Sequence, residues 1–203
     1  ESELEVWKQR EDGRFYHFKT YPICNWSGDV GPKVVQGDKQ APEGFYTVAR
    51  HQMNPNSQFY LAFNLGYPNA YDRANKRTGD ALMVHGKCKS AGCYAMTDAL
   101  IEEIYALARE SYIGGQDSIH VHAFPFRMSD ANIARHKTNE HFPFWTTLKE
   151  GYDYFEATRL PLRLLATLAA GDQSWAAVED SGSRQHLVAR VNEPLCKPSP
   201  YRP

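Results

Sequence analysis

Ala81-Leu82-Met83-Val84-His85-Gly86-Lys87-Cys88-Lys89-Ser90-Ala91-Gly92-Cys93-Tyr94 is the stretch on which the reading of this chain turns. The apolar run Ala81 to Val84 reads as a strand that delivers His85 and Gly86 at its end. A tight polar loop follows, and it closes on a cysteine set between Gly92 and Tyr94. A helix signal comes next, with Thr97 as N-cap and Asp98 in the first turn. A base, a glycine-flanked thiol and a helix start in so short a span are the parts of a nucleophilic cysteine site. An enzyme is the leading expectation.

Upstream of this segment the period is two. Leu4-Glu5-Val6-Trp7-Lys8 alternates, Asp12-Gly13 supplies a hairpin turn, and Arg14 to Tyr21 carries the aromatic residues of a pleated surface. Gly44 to Arg50 and Gln58 to Leu65 are further strand candidates, whereas Asn69 to Asp80 is polar and turn-forming. Downstream the period changes. Ala99, Leu100, Ile104 and Leu107 recur at helical spacing, and Gly114-Gly115 ends that helix. Ile119, Val121 and Ala123 then alternate with His120 and His122, which places both histidines on one strand face. Asp130 to Lys137, Pro143 to Thr158 and Leu160 to Ala170 read as helices, and the chain after Gly171 as an irregular tail. The expected class is α+β, mainly β, with helices after the nucleophile. Residues 1–160 form the expected catalytic domain, and residues 161–203 a C-terminal helix and irregular extension.

Composition narrows the function. At 203 residues with 42% hydrophobic content the chain can bury a full core. A net charge of −1 without runs of like charge argues against nucleic acid as a partner. No apolar stretch approaches the roughly 20 residues that span a bilayer. Four cysteines (Cys24, Cys88, Cys93, Cys196) are too few for a disulfide scaffold at this length. With Cys93 reduced, at most one bridge forms; Cys24 with Cys88 is the expected pair, against the alternative of two small buried thiols.

His85-Gly86 followed by Ser90-Ala91-Gly92-Cys93 resembles the active-site signature of the YkuD-type L,D-transpeptidases, which act on bacterial peptidoglycan. Ser27-Gly28, Gly31-Pro32-Lys33, Gly37-Asp38, Gln40 and Pro42-Glu43-Gly44, with Tyr46, resemble that family's early strands. The continuation Tyr94-Ala95-Met96-Thr97, the run Pro125-Phe126-Arg127-Met128 and the helix from Phe144-Trp145 to Phe155 are similar to its YafK-type branch. The likeness covers roughly residues 3 to 160. Two positions depart from the wider family: Ala91 replaces a histidine, and Ala95 replaces an arginine two places after the cysteine. The second change removes a candidate partner for a substrate carboxylate, and Arg127 is the expected replacement, with His122 as a further cleft residue.

The resemblance implies a catalytic pair, Cys93 as nucleophile and His85 as base, without metal or cofactor. A free thiol has a pKa of about 8.5, so the imidazole is expected to ionise the sulfur. Amides around Gly92 and Tyr94 are expected to hold the oxyanion, with Ser90 and Gly86 shaping the loop. The implied substrate is a peptidoglycan stem peptide, attacked at the L-centre carbonyl of diaminopimelate to give a thioester. Water, a second diaminopimelate amine or a lipoprotein lysine then resolves it. The branch includes a hydrolase that releases Braun-type lipoprotein, which favours water. The implied location is the periplasm, the leader being absent from this chain. Two readings of other classes stay open: a zinc site built from His85, Cys88, Cys93 and His120 or His122, and a catalytically silent wall-binding module.

Overall fold

Strand β1 (Glu3–Gln9) turns at Asp12-Gly13 and returns as β2 (Phe15–Pro22), the hairpin expected from the turn dipeptide. Gly13 sits at φ +78°, a conformation a glycine adopts without a steric penalty. In this computed structural model, residues 2–161, 163–165, 176–178 and 185–190 are described. β3 (Gly44–Ala49) leads through a 3₁₀ turn (Arg50–Gln52) to a second hairpin, β4 (Met53–Ser57) and β5 (Tyr60–Asn64). A short helix, α1 (Ala70–Ala74), precedes β6 (Met83–His85) and β7 (Tyr94–Ala95). Helix α2 (Asp98–Ile113) is capped by the Thr97 hydroxyl, which accepts from the Leu100 N–H. β8 (Ser118–Phe124), α3 (Asp130–Arg135) and α4 (Phe142–Thr158) follow.

The last described segments are strands. β9 (Arg163–Leu165) pairs with β10 (Ala176–Val178), and β11 (Gln185–Arg190) enters the main sheet. The helix expected over Leu160 to Ala170 is therefore not formed at 163–165. A short Leu-rich run carries no period that separates helix from strand, and pairing with 176–178 decides it. Residues 166–170 of that expectation, and Cys196, lie outside the described residues.

Two sheets organise the rest. One runs β2-β1-β11-β8-β3, with β11 antiparallel to β1 and parallel to β8; the other runs β4-β5-β6-β7. Alternation sends Leu4, Val6, Tyr46, Val48, Ile119, Val121 and Ala123 from the first sheet into a core shared with Phe63, Val84 and Tyr94 of the second. Ile101, Ile104 and Ala108 of α2 close the same core. The opposite face of the first sheet presents Trp7, Phe45 and Phe124 to Trp145, Leu148 and Phe155 of α4. The domain is thus helix on sheet on sheet, one of the stable layered solutions. The cysteine segment belongs to the edge of the second sheet.

Candidate active site

β6 and β7 are parallel neighbours, and their pairing sets where His85 and Cys93 stand on the second sheet. Their register sets Val84 beside Tyr94 and His85 beside Ala95. Val84 and Tyr94 are both fully buried in the shared core, so alternation turns His85 and Cys93 to the other face, on the same side of the sheet. A strand spacing of ~4.8 Å and two residues of ~3.3 Å along the strand put their Cα atoms about 8 Å apart. That gap suits an imidazole reaching toward a thiol.

The imidazole is oriented from behind. His85 Nδ1 lies 2.7 Å from the Gly86 carbonyl oxygen. A carbonyl only accepts, so Nδ1 carries the hydrogen and Nε2 of the neutral ring is the acceptor. Phe59 packs against the ring at 4.6 Å between centroids. The Gly86 N–H donates to the Phe59 and Leu61 carbonyls, which locks this corner to β5. A Cβ at Gly86 would meet Asp98 Oδ1 at 2.7 Å, the Phe59 carbonyl at 3.0 Å and Ile101 Cγ2 at 3.1 Å. Only glycine fits there.

Cys93 is a free, half-buried thiol. Its Sγ faces the Ala81 carbonyl at 3.7 Å. Burial pushes the thiol above its ordinary value, opposed by a backbone hydrogen bond from Met83 and by the charge of Lys33. Burial likewise pulls His85 down, against the Gly86 contact. Both shifts favour neutral forms, so the resting pair is thiol and imidazole. Transfer of the sulfur's proton to the imidazole, the expected role of His85, therefore starts from the neutral pair, because desolvation penalises both charged forms.

Ser90 ties the loop together. Its hydroxyl donates to the Cys93 carbonyl at 2.6 Å and accepts from the Cys93 and Gly92 amides at 3.0 and 3.3 Å. Those amides, expected to hold an oxyanion, thus have Ser90 as their partner in this conformation, and the Gly86 amide has β5. Gly92 adopts φ +119°, and a Cβ there would press the Gln40 carbonyl at 3.3 Å. Tyr94 anchors the strand by donating its hydroxyl to the Pro42 carbonyl.

Cys24 and Cys88 form the expected disulfide, with Cα atoms 5.4 Å apart. The bridge fastens the loop between His85 and Cys93 to the segment after β2. It also removes Cys88 as a rival nucleophile or as a zinc ligand. Among the described residues no group of three His, Cys, Asp or Glu side chains is placed to hold a metal ion.

The two substrate-binding expectations, His122 and Arg127, stand elsewhere in the fold. His122 shares a face with His120, but that face looks toward α4, among Phe45, Phe124 and Phe155 at 4.7, 5.9 and 5.7 Å. Val121 and Ala123, its neighbours, point into the core shared with the cysteine sheet. A strand buried on both faces leaves the side open until its partners are known. Arg127 pairs with Glu3 on β1 at 3.2 Å, with Glu5 at 3.9 Å. Neither residue is brought to Cys93.

Two side chains quoted for the family resemblance were given no role by the sequence reading. Glu43 is buried, accepts from the Gly31 amide at 2.6 Å and from Trp145 Nε1 at 2.9 Å, and is pushed up to about 7 by burial. Lys33 is 3% exposed and paired to Asp38 at 2.5 Å. Both stand inside the glycine-rich stretch before β3, and a charged residue among glycines and prolines is the one local sign of them.

Comparison with known proteins gives the family. The YkuD L,D-transpeptidase catalytic domain matches residues 7–121. YafK of Escherichia coli K12, which carries a provisional L,D-transpeptidase name, is 53% identical over 142 residues, as is its counterpart in strain O157:H7. That match takes in 70% of this chain and 58% of YafK, so the chain spans little more than half of its relative. Among solved structures, the helical cell shape determining protein Pgp2 of Campylobacter jejuni is 26% identical over 60% of this chain and 42% of its own, with a TM-score of 0.48. Bd1075 of Bdellovibrio bacteriovorus is 16% identical, covering 88% and 74%, with a TM-score of 0.35. With the domain match running over more than half of its length, the chain belongs to the YkuD L,D-transpeptidase family.

Proposed function

We propose that this protein is a cysteine amidase of peptidoglycan, with Cys93 as nucleophile and His85 as general base. The carrying observation is the His85 tautomer: Nδ1 is committed to the Gly86 carbonyl, so Nε2 is left to take a proton from a sulfur on the same sheet face. In the first half-reaction Nε2 accepts the Sγ proton as sulfur attacks the carbonyl at the L-centre of diaminopimelate. The tetrahedral adduct collapses to a thioester, and the leaving amine departs with the proton from the imidazolium. In the second, His85 deprotonates water, which attacks the thioester; the acid is released and the thiol restored.

The bond we assign is the one between diaminopimelate and a lipoprotein lysine, with water as acceptor. Support comes from the 53% identity to YafK and from the Cys93-Tyr94-Ala95-Met96-Thr97 run by which the chain resembles that branch. The Cys24–Cys88 disulfide fits an oxidising compartment, in keeping with a periplasmic site of action. No described helix is long and apolar enough to cross a membrane.

The test is incubation with purified sacculi that carry bound lipoprotein, followed by product masses. Release of lysine-terminated lipoprotein supports the reading. Loss of a terminal D-alanine instead would assign the same thioester a different leaving group, and new 3–3 crosslinks would assign it a different acceptor as well. No product, with Cys93 intact, would favour a silent wall-binding module.

A further inference from the structure

Lys33 is the most deeply buried ammonium in the neighbourhood of the thiol, and its surroundings are built. Nζ donates to Asp38 Oδ1 at 2.5 Å and to the Val35 carbonyl at 3.0 Å. Asp38 in turn accepts from the Val34, Val35 and Gln40 amides at 2.9, 2.9 and 3.0 Å. Burial pushes the Asp38 carboxyl up, but Lys33 and these amides outweigh it and hold it below the usual carboxylate value. The carboxylate form of Asp38 is thus favoured beside Lys33 Nζ.

The same loop is pressed onto the segment that leads into β6. The Val34 carbonyl accepts from the Thr78 amide at 2.8 Å, and Thr78 Oγ1 accepts from the Gln36 amide at 3.2 Å. Lys33 Cε lies so close to Gly79 that a Cβ there would sit 2.6 Å away. Gly79 leads directly to Ala81, whose carbonyl faces Cys93 Sγ. On the other side, the Gln40 carbonyl lies against Gly92. The Lys33–Asp38 loop therefore flanks Cys93 before and behind.

We propose that the buried Lys33–Asp38 pair is an electrostatic support for Cys93, in which the Lys33 ammonium stabilises the sulfur anion formed as the proton moves to His85. This rests on Cys93 being the nucleophile. Lys33 is a positioning residue: its ammonium is occupied by Asp38 and Val35 and touches no reacting atom. Its place beside Gly79, two residues before the carbonyl that faces Sγ, is what lets its charge act on the sulfur, and that charge favours the anion there against burial. Asp38 tempers that charge. The other titratable groups beside the sulfur are His85, pulled toward its neutral form, and Tyr94, raised well above its ordinary value by burial first and then by Glu43 and Cys93. Neither supplies a positive charge at rest. Where burial is the largest influence on a thiol, a fixed cation makes the thiolate easier to reach.

The test reads the sulfur itself. Cys93 in the full chain is alkylated with iodoacetamide across pH 6 to 11, with rates followed by intact mass, for the parent and three variants. Lys33→Met is expected to raise the alkylation midpoint by about one pH unit, the low end for loss of a nearby opposite charge, and so to slow labelling near neutrality about tenfold. Asp38→Asn is expected to move the midpoint down, because it unmasks the ammonium; Lys33→Arg is expected to keep the parental midpoint. A structural role alone would shift both neutralising variants in one direction. An unmoved profile in Lys33→Met, or shifts of the same sign in Lys33→Met and Asp38→Asn, overturns the proposal. If Lys33→Met does not fold, an Asp38→Asn midpoint that stays or rises overturns it alone. Sacculus turnover by Cys93→Ala, measured in parallel, would instead defeat the assignment of the nucleophile.

Discussion

Replacing Ser90 by alanine removes the clasp on the nucleophile while leaving the thiol in place. The hydroxyl makes three bonds to the peptide groups of Gly92 and Cys93, at 2.6, 3.0 and 3.3 Å. The two shorter ones contribute about 1 kcal/mol each, and the third lies beyond the favoured range and adds little. The loss is therefore about 2 kcal/mol. For a domain of this size each kcal/mol lowers Tm by about 2–4 °C, so Ser90→Ala is expected to melt about 4–8 °C lower and remain folded at 25 °C. The β6–β7 ladder and the Cys24–Cys88 bridge keep the strands in register. Freed from its anchor, Sγ drifts from the line of attack, and a displacement of 1 Å costs about a hundredfold in rate. A steady-state assay on lipoprotein-linked stem peptide is expected to show kcat down by about that factor, KM nearly unchanged, and Ser90→Thr largely restored. Parental kcat in a variant whose Tm has dropped would refute the clasp. A rise in kcat would mean that the Gly92 and Cys93 amides serve the oxyanion once Ser90 lets go.

The remaining expectations concern charge and covalent restraint. Burial holds His85 below its ordinary 6.5, and the base must be neutral to act, so kcat/KM is expected to lose its acid limb only below about pH 6.5; a limb near pH 8 in a pH–rate profile would contradict this. Glu43, pushed up to about 7 by burial, binds a proton in the folded state where the unfolded chain has released it. Stability is thus expected to fall as pH rises from about 4.5 to about 7 and then to level, by an order of 3 kcal/mol. Urea unfolding of Glu43→Gln at pH 5 and 7.5 is expected to lack that slope. Cys24→Ser opens a bridge between residues 64 apart in sequence, worth about 4 kcal/mol by loop entropy. It is expected to lower the urea midpoint, and an unchanged midpoint would show the bridge to be dispensable.

Local chemistry made much of this fold legible. The Asp12-Gly13 turn, the Thr97 cap and the strand ending at His85 each rest on a few neighbouring residues, and each stands where expected. Keeping Cys93 free limited the chain to one bridge but left three cysteines to form it; the expected Cys24–Cys88 pair is the one formed. What stayed hidden depends on partners distant in sequence. Period two showed that His120 and His122 share a face, but not that α4 covers it. Arg127 reads as a free cation until β1 brings Glu3 to it. Glu43 is joined to Trp145, and Lys33 to the segment leading to Ala81, by tertiary contacts that no local pattern encodes. The one-turn helix α1 formed inside a stretch read as turn because Asn69 and Asp72 cap each other, a signal both shorter and weaker than the surrounding loop residues.

The most direct check on the nucleophile is rapid-quench mass spectrometry of the enzyme mixed with a stem peptide linked to lysine. Expected is a transient adduct of the acyl half on the peptide that contains Cys93, formed at the rate of amine release and lost as water adds. It should be missing in Cys93→Ala and slowed in His85→Ala. Amine release at the parental rate by Cys93→Ala, with no adduct on the parent, would contradict a thioester at this sulfur.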